Sequence, residues 1–162
     1  MKIQLSKERF PRSFSRHPYC VGCIHEADIS LGSSRLKLKL MVFQKTANLK
    51  RFWKDAMGKG SLGKGCIGAV NSLACENIDV CSGKSKMECD SRYFAIMGLC
   101  VDHLGMEVIT HESVHAGISY TKRTGSRNLW HDPLDMDEEK IAYPVGKIAA
   151  NIVRSLRKAK LI

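Results

Sequence analysis

The chain has 162 residues and a formal net charge of +10, a length that favours a single domain with its own hydrophobic core. No apolar run approaches the length of a membrane span, and residues 1–16 lack the apolar core of a signal peptide, so we expect a cytoplasmic protein with no membrane contact. The seven cysteines are an odd number, which indicates reduced thiols or metal ligands rather than a disulfide framework.

The positive charge is concentrated in the first two fifths of the chain. Residues 1–64 hold 14 Lys and Arg against 4 Asp and Glu, whereas residues 65–162 hold 12 of each. Such a surplus attracts anionic partners, nucleic acid included, without sequence preference. We favour the plainer interpretation, a solvated basic surface, and keep an anionic partner for residues 1–64 as the alternative.

The first 101 residues are predicted to form an irregular segment and then a strand, helix and strand part. Residues 1–34 are expected to be irregular because prolines, glycine and serines interrupt any periodicity. The segment 35–101 is predicted to contain a half-buried strand at 36–43, a helix at 46–57, a loop at 58–65, a strand at 66–72, a polar hairpin within 74–91 and a buried strand at 93–101. Leu49, Phe52, Trp53 and Ala56 are expected on the core face of the helix, and Cys100 is expected to be buried.

The last part of the domain, residues 102–162, is predicted to hold two helices. The first covers about 106–121, a polar loop follows at 122–135, and the second helix runs from near Asp137 toward Lys160, with Pro144 expected to kink it. The order of elements predicts an α+β fold in one domain, residues 1–162.

The segment His111-Glu112-Ser113-Val114-His115 carries the clearest chemical signal. Residues four apart lie on one face of a helix, so His111 and His115 can direct both imidazoles at one ion. Glu112 lies one position round the helix, where a carboxylate can take a proton from a metal-bound water without binding the metal. The spacing therefore predicts a zinc site with Glu112 as general base, and the uncharged neighbours predict that its flanks are dry.

A zinc ion held by two histidines needs a third protein ligand. The candidates are Asp135, Asp137, Glu138 and Glu139 at the start of the last helix. Acidic residues at this position also stabilise a helix dipole, so capping is the alternative explanation. The apolar stripe that begins at Ile141 places Glu138 closer to the core, and the residues alone leave the choice open.

The run YFAIMGLCVDHLGMEVITHESVHAG at 93–117, followed by DEEKIAY at 137–143, resembles small phage and prophage proteins of the gluzincin type. The resemblance covers about the last 70 residues. It implies a minimal thermolysin-like zincin core, in which a small mixed sheet precedes the active-site helix and a helix bearing a glutamate. It also implies that Glu139 is the third ligand, with Tyr143 one turn further on, and that the host cytoplasm is bacterial.

The combined expectation is a zinc-dependent peptidase or related amide hydrolase that acts on a protein or peptide. His111, His115 and Glu139 would hold Zn²⁺, and Glu112 would activate water for attack on a carbonyl. A hydrogen-bond donor to the transition state is also expected, and Tyr120, His131 and Tyr143 are the candidates.

Two other kinds of protein remain as hypotheses. One is a basic binding module that touches nucleic acid or protein and keeps a structural zinc, and the other is a degenerate zincin that acts by protein interaction. Cys20 and Cys23, with His25 nearby, have the spacing of half a zinc site, but no second pair of cysteines has matching spacing.

Overall fold

The computed structural model describes residues 21–32, 34–57, 62, 67–72, 92–124 and 138–162. Within these ranges the chain has an α+β fold with a four-stranded mixed sheet and three α-helices. The elements are β1 (Cys23–Ser30), β2 (Lys37–Phe43), α1 (Thr46–Met57), β3 (Gly68–Ser72), β4 (Tyr93–Cys100), α2 (Met106–Arg123) and α3 (Glu138–Lys158). None of the described helices is both long enough and apolar enough to cross a bilayer.

The strands lie in the order β1-β2-β4-β3, so β1 and β3 form the two edges. β1 pairs antiparallel with β2, β2 pairs parallel with β4, and β3 pairs antiparallel with β4. The parallel pair needs a crossover, and the segment that contains α1 and β3 supplies it. This order places β3 beside β4, whose end leads into α2 through a single 3₁₀ turn at Val101–His103.

The sheet has a separate hydrophobic cluster on each face, because successive side chains of a strand point in opposite directions. On β2, Leu38, Leu40 and Val42 pack with residues of α2 and α3, whereas Met41 and Phe43 pack with residues of α1. All five side chains are fully buried. The predicted strand is therefore confirmed, but the prediction that it is half-buried is wrong, because helices cover both of its faces over this stretch.

The prediction that residues 1–34 are irregular is wrong for β1. Ala27 and Ile29 pack with the α2 and α3 cluster, while the alternate positions Glu26 and Asp28 are acidic. Charged residues in a strand are unfavourable unless a partner balances them, and that partner is Lys39 of the neighbouring β2. A pairing between strands is invisible in the local pattern on which the prediction depended.

The other predicted elements within the described ranges are confirmed. The helix at 46–57, the buried strand from Tyr93 and the helix from Met106 occur where they were expected, and Leu49, Phe52, Trp53 and Cys100 are buried. The predicted hairpin at 74–91 lies outside the described residues, as does the loop at 58–65 apart from residue 62.

The two C-terminal helices pack against each other in antiparallel directions. Gly117 of α2 lies against Val145 of α3, so closely that a Cβ atom at position 117 would lie 2.4 Å from Cγ2 of Val145. One helical turn later, the Thr121 hydroxyl lies 3.3 Å from the Lys140 carbonyl oxygen. In a regular helix this carbonyl would accept a hydrogen bond from the N–H of residue 144, but Pro144 has no N–H. α3 continues through Pro144. The single hydroxyl proton of Thr121 is within hydrogen-bond distance of both the Lys140 carbonyl and the Gly117 carbonyl of α2, which is closer at 2.9 Å.

Candidate metal centre

α2 presents the two motif histidines on its exposed side. Ile109 and Ala116 face the sheet and are buried, while His111 and His115 lie on the opposite side of the helix and are exposed. The apolar residues of α2 recur at a spacing that buries one face of the helix against β4 and β3, which leaves the face with the histidines exposed. The prediction that both histidines lie on one helical face is therefore confirmed.

The two imidazoles converge on each other. Nε2 of His111 lies 3.2 Å from Nε2 of His115, and the ring centroids are 4.9 Å apart with an interplanar angle of 76°. Two imidazole nitrogens bound to one tetrahedral zinc ion are about 3.3 Å apart, since each Zn–N bond is about 2.0–2.1 Å long. The observed separation thus fits a shared ion, and in the absence of metal it also fits one N–H···N hydrogen bond.

Glu112 lies on the boundary between the exposed face and the sheet. Its side chain is buried, with 6% of the residue exposed, and it fills the space beside the backbone of Gly68 in β3. Burial raises the pKa of Glu112 above its ordinary value, and the neighbouring imidazoles of His111 and His115 oppose that rise. A carboxyl whose pKa lies closer to neutrality is better suited to exchange a proton with water at physiological pH.

Gly68 is the residue of this site that sequence reasoning missed. A Cβ atom at position 68 would lie 2.8 Å from Cγ and 3.0 Å from Oε1 of Glu112. An isolated glycine within a strand is a signal of close approach, so the pattern GAV at 68–70 contained a hint. The partner that approaches could not be named before β3 and α2 were placed together.

The flanks of the histidine pair differ from each other. Ser113 is buried and its hydroxyl donates to the Ile109 carbonyl at 2.7 Å, so that flank is dry as expected. Val114, in contrast, is 40% exposed. The expectation that the site is dry on its flanks is therefore wrong on the Val114 side, because an uncharged residue is not forced to be buried.

Glu139 is exposed in the first turn of α3 and does not form a ligand group with the two histidines. Within the described ranges, no group of three or more His, Cys, Asp or Glu side chains is close enough to hold one ion. α3 packs on the side of α2 that carries Gly117 and Thr121. Since each residue turns the helix by about 100°, that side lies roughly 120–160° round the axis from His115. The contact of Thr121 with Lys140 also places the start of α3 six residues, about 9 Å, beyond His115 along the axis.

The other predicted ligands and donors are only partly described. Asp135, Asp137, His131, Cys20 and the side chain of Glu138 lie outside the described residues.

Among the described candidates, Tyr120 packs edge-on against Phe94 of β4 with ring centroids 5.2 Å apart, on the sheet side of α2. It therefore faces away from the histidine pair. Tyr143 is exposed on α3, and Cys23 is half-buried, with its thiol 3.4 Å from the His25 carbonyl oxygen.

The site therefore combines two exposed imidazoles at metal-binding distance with one buried carboxyl beside an edge strand. Comparison of the chain with protein-family models, with curated proteins and with solved structures found no match.

Proposed function

We propose that this chain is a zinc-dependent hydrolase of peptide-type amide bonds with a minimal thermolysin-like core. The observation that carries the proposal is the 3.2 Å separation of the His111 and His115 Nε2 atoms on the exposed face of α2, next to the buried carboxyl of Glu112. Two histidines that merely stabilise a helix have no need to converge, and a structural zinc site has no use for a carboxyl at this position.

Each residue has a distinct role in the proposed reaction. His111 and His115 would hold the zinc ion through Nε2. Glu139, which the structure does not place beside them, is the third ligand that the resemblance to gluzincins implies. When bound, zinc would supply a lowered water pKa and polarisation of the substrate carbonyl. Glu112 would accept the proton of the attacking water at its carboxylate and later donate it to the leaving amine, for which its raised pKa is suited.

The edge strand β3 supports a peptide as substrate. β3 ends the described sheet and packs against α2 where Gly68 meets Glu112. An extended peptide can add to a sheet edge through backbone hydrogen bonds. A peptide held there would run beside the Glu112 carboxyl and the histidine pair.

Metal content provides the first test. We expect about one zinc ion per chain in protein purified without an affinity tag that binds metal, as for a catalytic site of this type. His115→Ala should lose the zinc, while His103→Ala, which removes an exposed histidine from the preceding 3₁₀ turn, should keep it. Glu139→Gln should weaken zinc binding more than Glu138→Gln if Glu139 is the third ligand.

Hydrolysis provides the second test. With a library of fluorescence-quenched peptides, Glu112→Gln should lower the rate by about 100-fold or more while zinc is retained, since general base catalysis contributes about 10²–10⁴-fold. Glu107→Gln, an exposed glutamate in the first turn of the same helix, should leave the rate unchanged. Absence of zinc from the wild-type chain would refute the proposal, and zinc without hydrolysis would support the structural-zinc hypothesis instead.

A further inference from the structure

The charged residues of α3 beyond its first two positions are all basic. From Lys140 to Ile162 the sequence holds six basic residues and no acidic residue. Residues 65–162 as a whole are neutral, because their acidic residues balance their basic ones. All of those acidic residues precede position 140. The charge of α3 after its first turn is therefore entirely positive.

Four of these bases form a single row. Lys140, Lys147 and Arg154 are seven residues apart and Lys158 follows four residues later, so all four lie on one side of the helix. Lys140, Arg154 and Lys158 are exposed and Lys147 is half-buried. At about 1.5 Å per residue, the row is about 27 Å long.

The row lies next to the turn between β1 and β2. Nζ of Lys147 lies 3.5 Å from the position of a Cβ atom at Gly32, and Asn151 donates a hydrogen bond to the Ser30 carbonyl at 2.9 Å. Arg35 is exposed in the same turn. The contacts of Lys147 and Asn151 connect α3 to this turn.

Three bases of this row, Lys147, Arg154 and Lys158, have no acidic partner among the described residues. By contrast, Lys37 and Lys39 of β2 form ion pairs with acidic residues of β1. No carboxylate of a described residue lies within 4.0 Å of Lys147, Arg154 or Lys158. Charges of one sign in a row create a potential that attracts a polyanion.

We propose that the outer face of α3 binds the phosphate backbone of nucleic acid without sequence preference, independently of the proposed hydrolysis. A row about 27 Å long suits a ligand with repeated negative charges rather than a single anion. Tyr143 lies on the same side, is 62% exposed, and has the Lys147 Nζ 4.7 Å from its ring centroid. An exposed ring among bases is typical of surfaces that contact nucleic acid.

An anionic membrane fits this surface less well. A helix that lies in a membrane interface inserts an apolar face, but the apolar face of α3 is already used by the core. Ile148, Ile152 and Leu156 are fully buried against the sheet and α2. Tyr143 is the one large apolar side chain that the described part of α3 exposes.

Salt-dependent binding of a labelled DNA duplex of about 20 base pairs tests the proposal, because each phosphate contact contributes about 0.9 to the slope of log K against log salt. The wild type is compared with the triple variant Lys147→Gln, Arg154→Gln and Lys158→Gln. Fluorescence anisotropy measures DNA binding by each protein from about 50 to 200 mM NaCl. We expect binding at least about 10-fold weaker and a slope lower by about 2–3. The exchange Lys147→Arg, Arg154→Lys and Lys158→Arg should preserve both quantities.

The matched control removes the same charge from α1 and the residue that precedes it. Lys45→Gln, Lys50→Gln and Lys54→Gln should change the slope by less than about 1, and circular dichroism should show that all variants are folded. Equal losses in the α1 and α3 variants, or no salt-dependent binding by the wild type, would overturn the proposal. It would also be overturned if phosphatidylserine vesicles bound the wild type as tightly as DNA and lost that binding in the α3 variant.

Discussion

Gly68 and Glu112 face each other across the gap between β3 and α2. The glycine lacks the atom that would occupy the position of the glutamate side chain. A carboxyl in this gap is desolvated, and its pKa is raised by that burial. The backbone of β3 therefore holds the carboxyl in place and also shifts its acidity.

Gly68→Ala is expected to displace the Glu112 carboxyl. Overpacking of this kind costs about 1–3 kcal/mol of stability, and a misplaced catalytic group costs about 10-fold or more in rate. The free energy of unfolding from urea titration and the rate of peptide hydrolysis measure the two effects. Gly105→Ala is the control, since a Cβ atom at position 105 would have nothing within 4 Å. An unchanged rate in Gly68→Ala would show that Glu112 is not positioned by this contact.

Lys39 shows how two neighbouring strands balance charge inside the fold. It is 3% exposed, and its ammonium lies 2.7 Å from both Glu26 Oε1 and Asp28 Oδ1. The Tyr93 hydroxyl also donates to Asp28 at 3.0 Å. Burial by itself raises the pKa of Asp28, but hydrogen bonds and the charge of Lys39 outweigh it, so the pKa falls below its ordinary value. The cluster holds β1 in register with β2.

Removal of the buried ammonium should destabilise the sheet. Lys39→Met leaves two carboxylates without their main counter-charge, which costs about 3 kcal/mol, the lower end of the range for buried pairs because Asp28 is partly exposed. Lys37→Met removes a more exposed partner of Asp28, 3.4 Å away, and should cost less than about 1 kcal/mol. Urea unfolding of both variants compares the two values. Similar costs would mean that burial of Lys39 does not strengthen the interaction.

The crossing of α2 and α3 depends on Gly117. Glycine is normally unfavourable inside a helix by about 1 kcal/mol, but here it allows the backbone of α2 to approach Val145. Gly117→Ala should therefore lower the free energy of unfolding by about 1–3 kcal/mol despite the better helix propensity of alanine.

A second substitution distinguishes steric overlap from other causes. Val145→Ala should recover part of the stability lost in Gly117→Ala, because it removes the methyl group that the new Cβ atom meets. Gly146→Ala, with nothing within 4 Å of the new atom, should instead stabilise α3 by about 0.5–1 kcal/mol. Additive effects of Gly117→Ala and Val145→Ala would contradict the assigned contact.

On the scale of the whole molecule, His25 connects the first described strand to the last helix. Its Nε2 lies 3.0 Å from the Ser155 hydroxyl of α3, across 130 residues of sequence. Burial lowers the pKa of His25 below its ordinary value, and Glu26 on the same strand opposes that shift. The folded protein thus favours the neutral imidazole at this junction.

The stability of the fold should fall as the pH decreases from about 7 to about 5. In this range the unfolded chain binds a proton at position 25 more readily than the folded chain, so stability rises with pH. His25→Gln should reduce this pH dependence, as measured by urea unfolding at several pH values. Equal pH dependence in the wild type and the variant would exclude His25 as its source.

The sequence alone determined the features that depend on local spacing. The 3.6-residue period placed His111 and His115 on one face of α2, the alternation at 36–43 predicted β2, and an uninterrupted apolar run predicted β4. These features need no knowledge of distant residues, because a helix or strand defines the directions of its own side chains.

The tertiary structure determined the features that depend on a contact between residues of different elements. β1 could be recognised only when Lys39 was seen to balance its acidic residues, and the importance of Gly68 and Gly117 depends on Glu112 and Val145, which come from other elements. The position of Glu139 depends on how α3 crosses α2, which the spacing between the two helices in the sequence does not determine. Packing between elements is set by side-chain volume and charge across the contact, and a single strand or helix carries only one side of it.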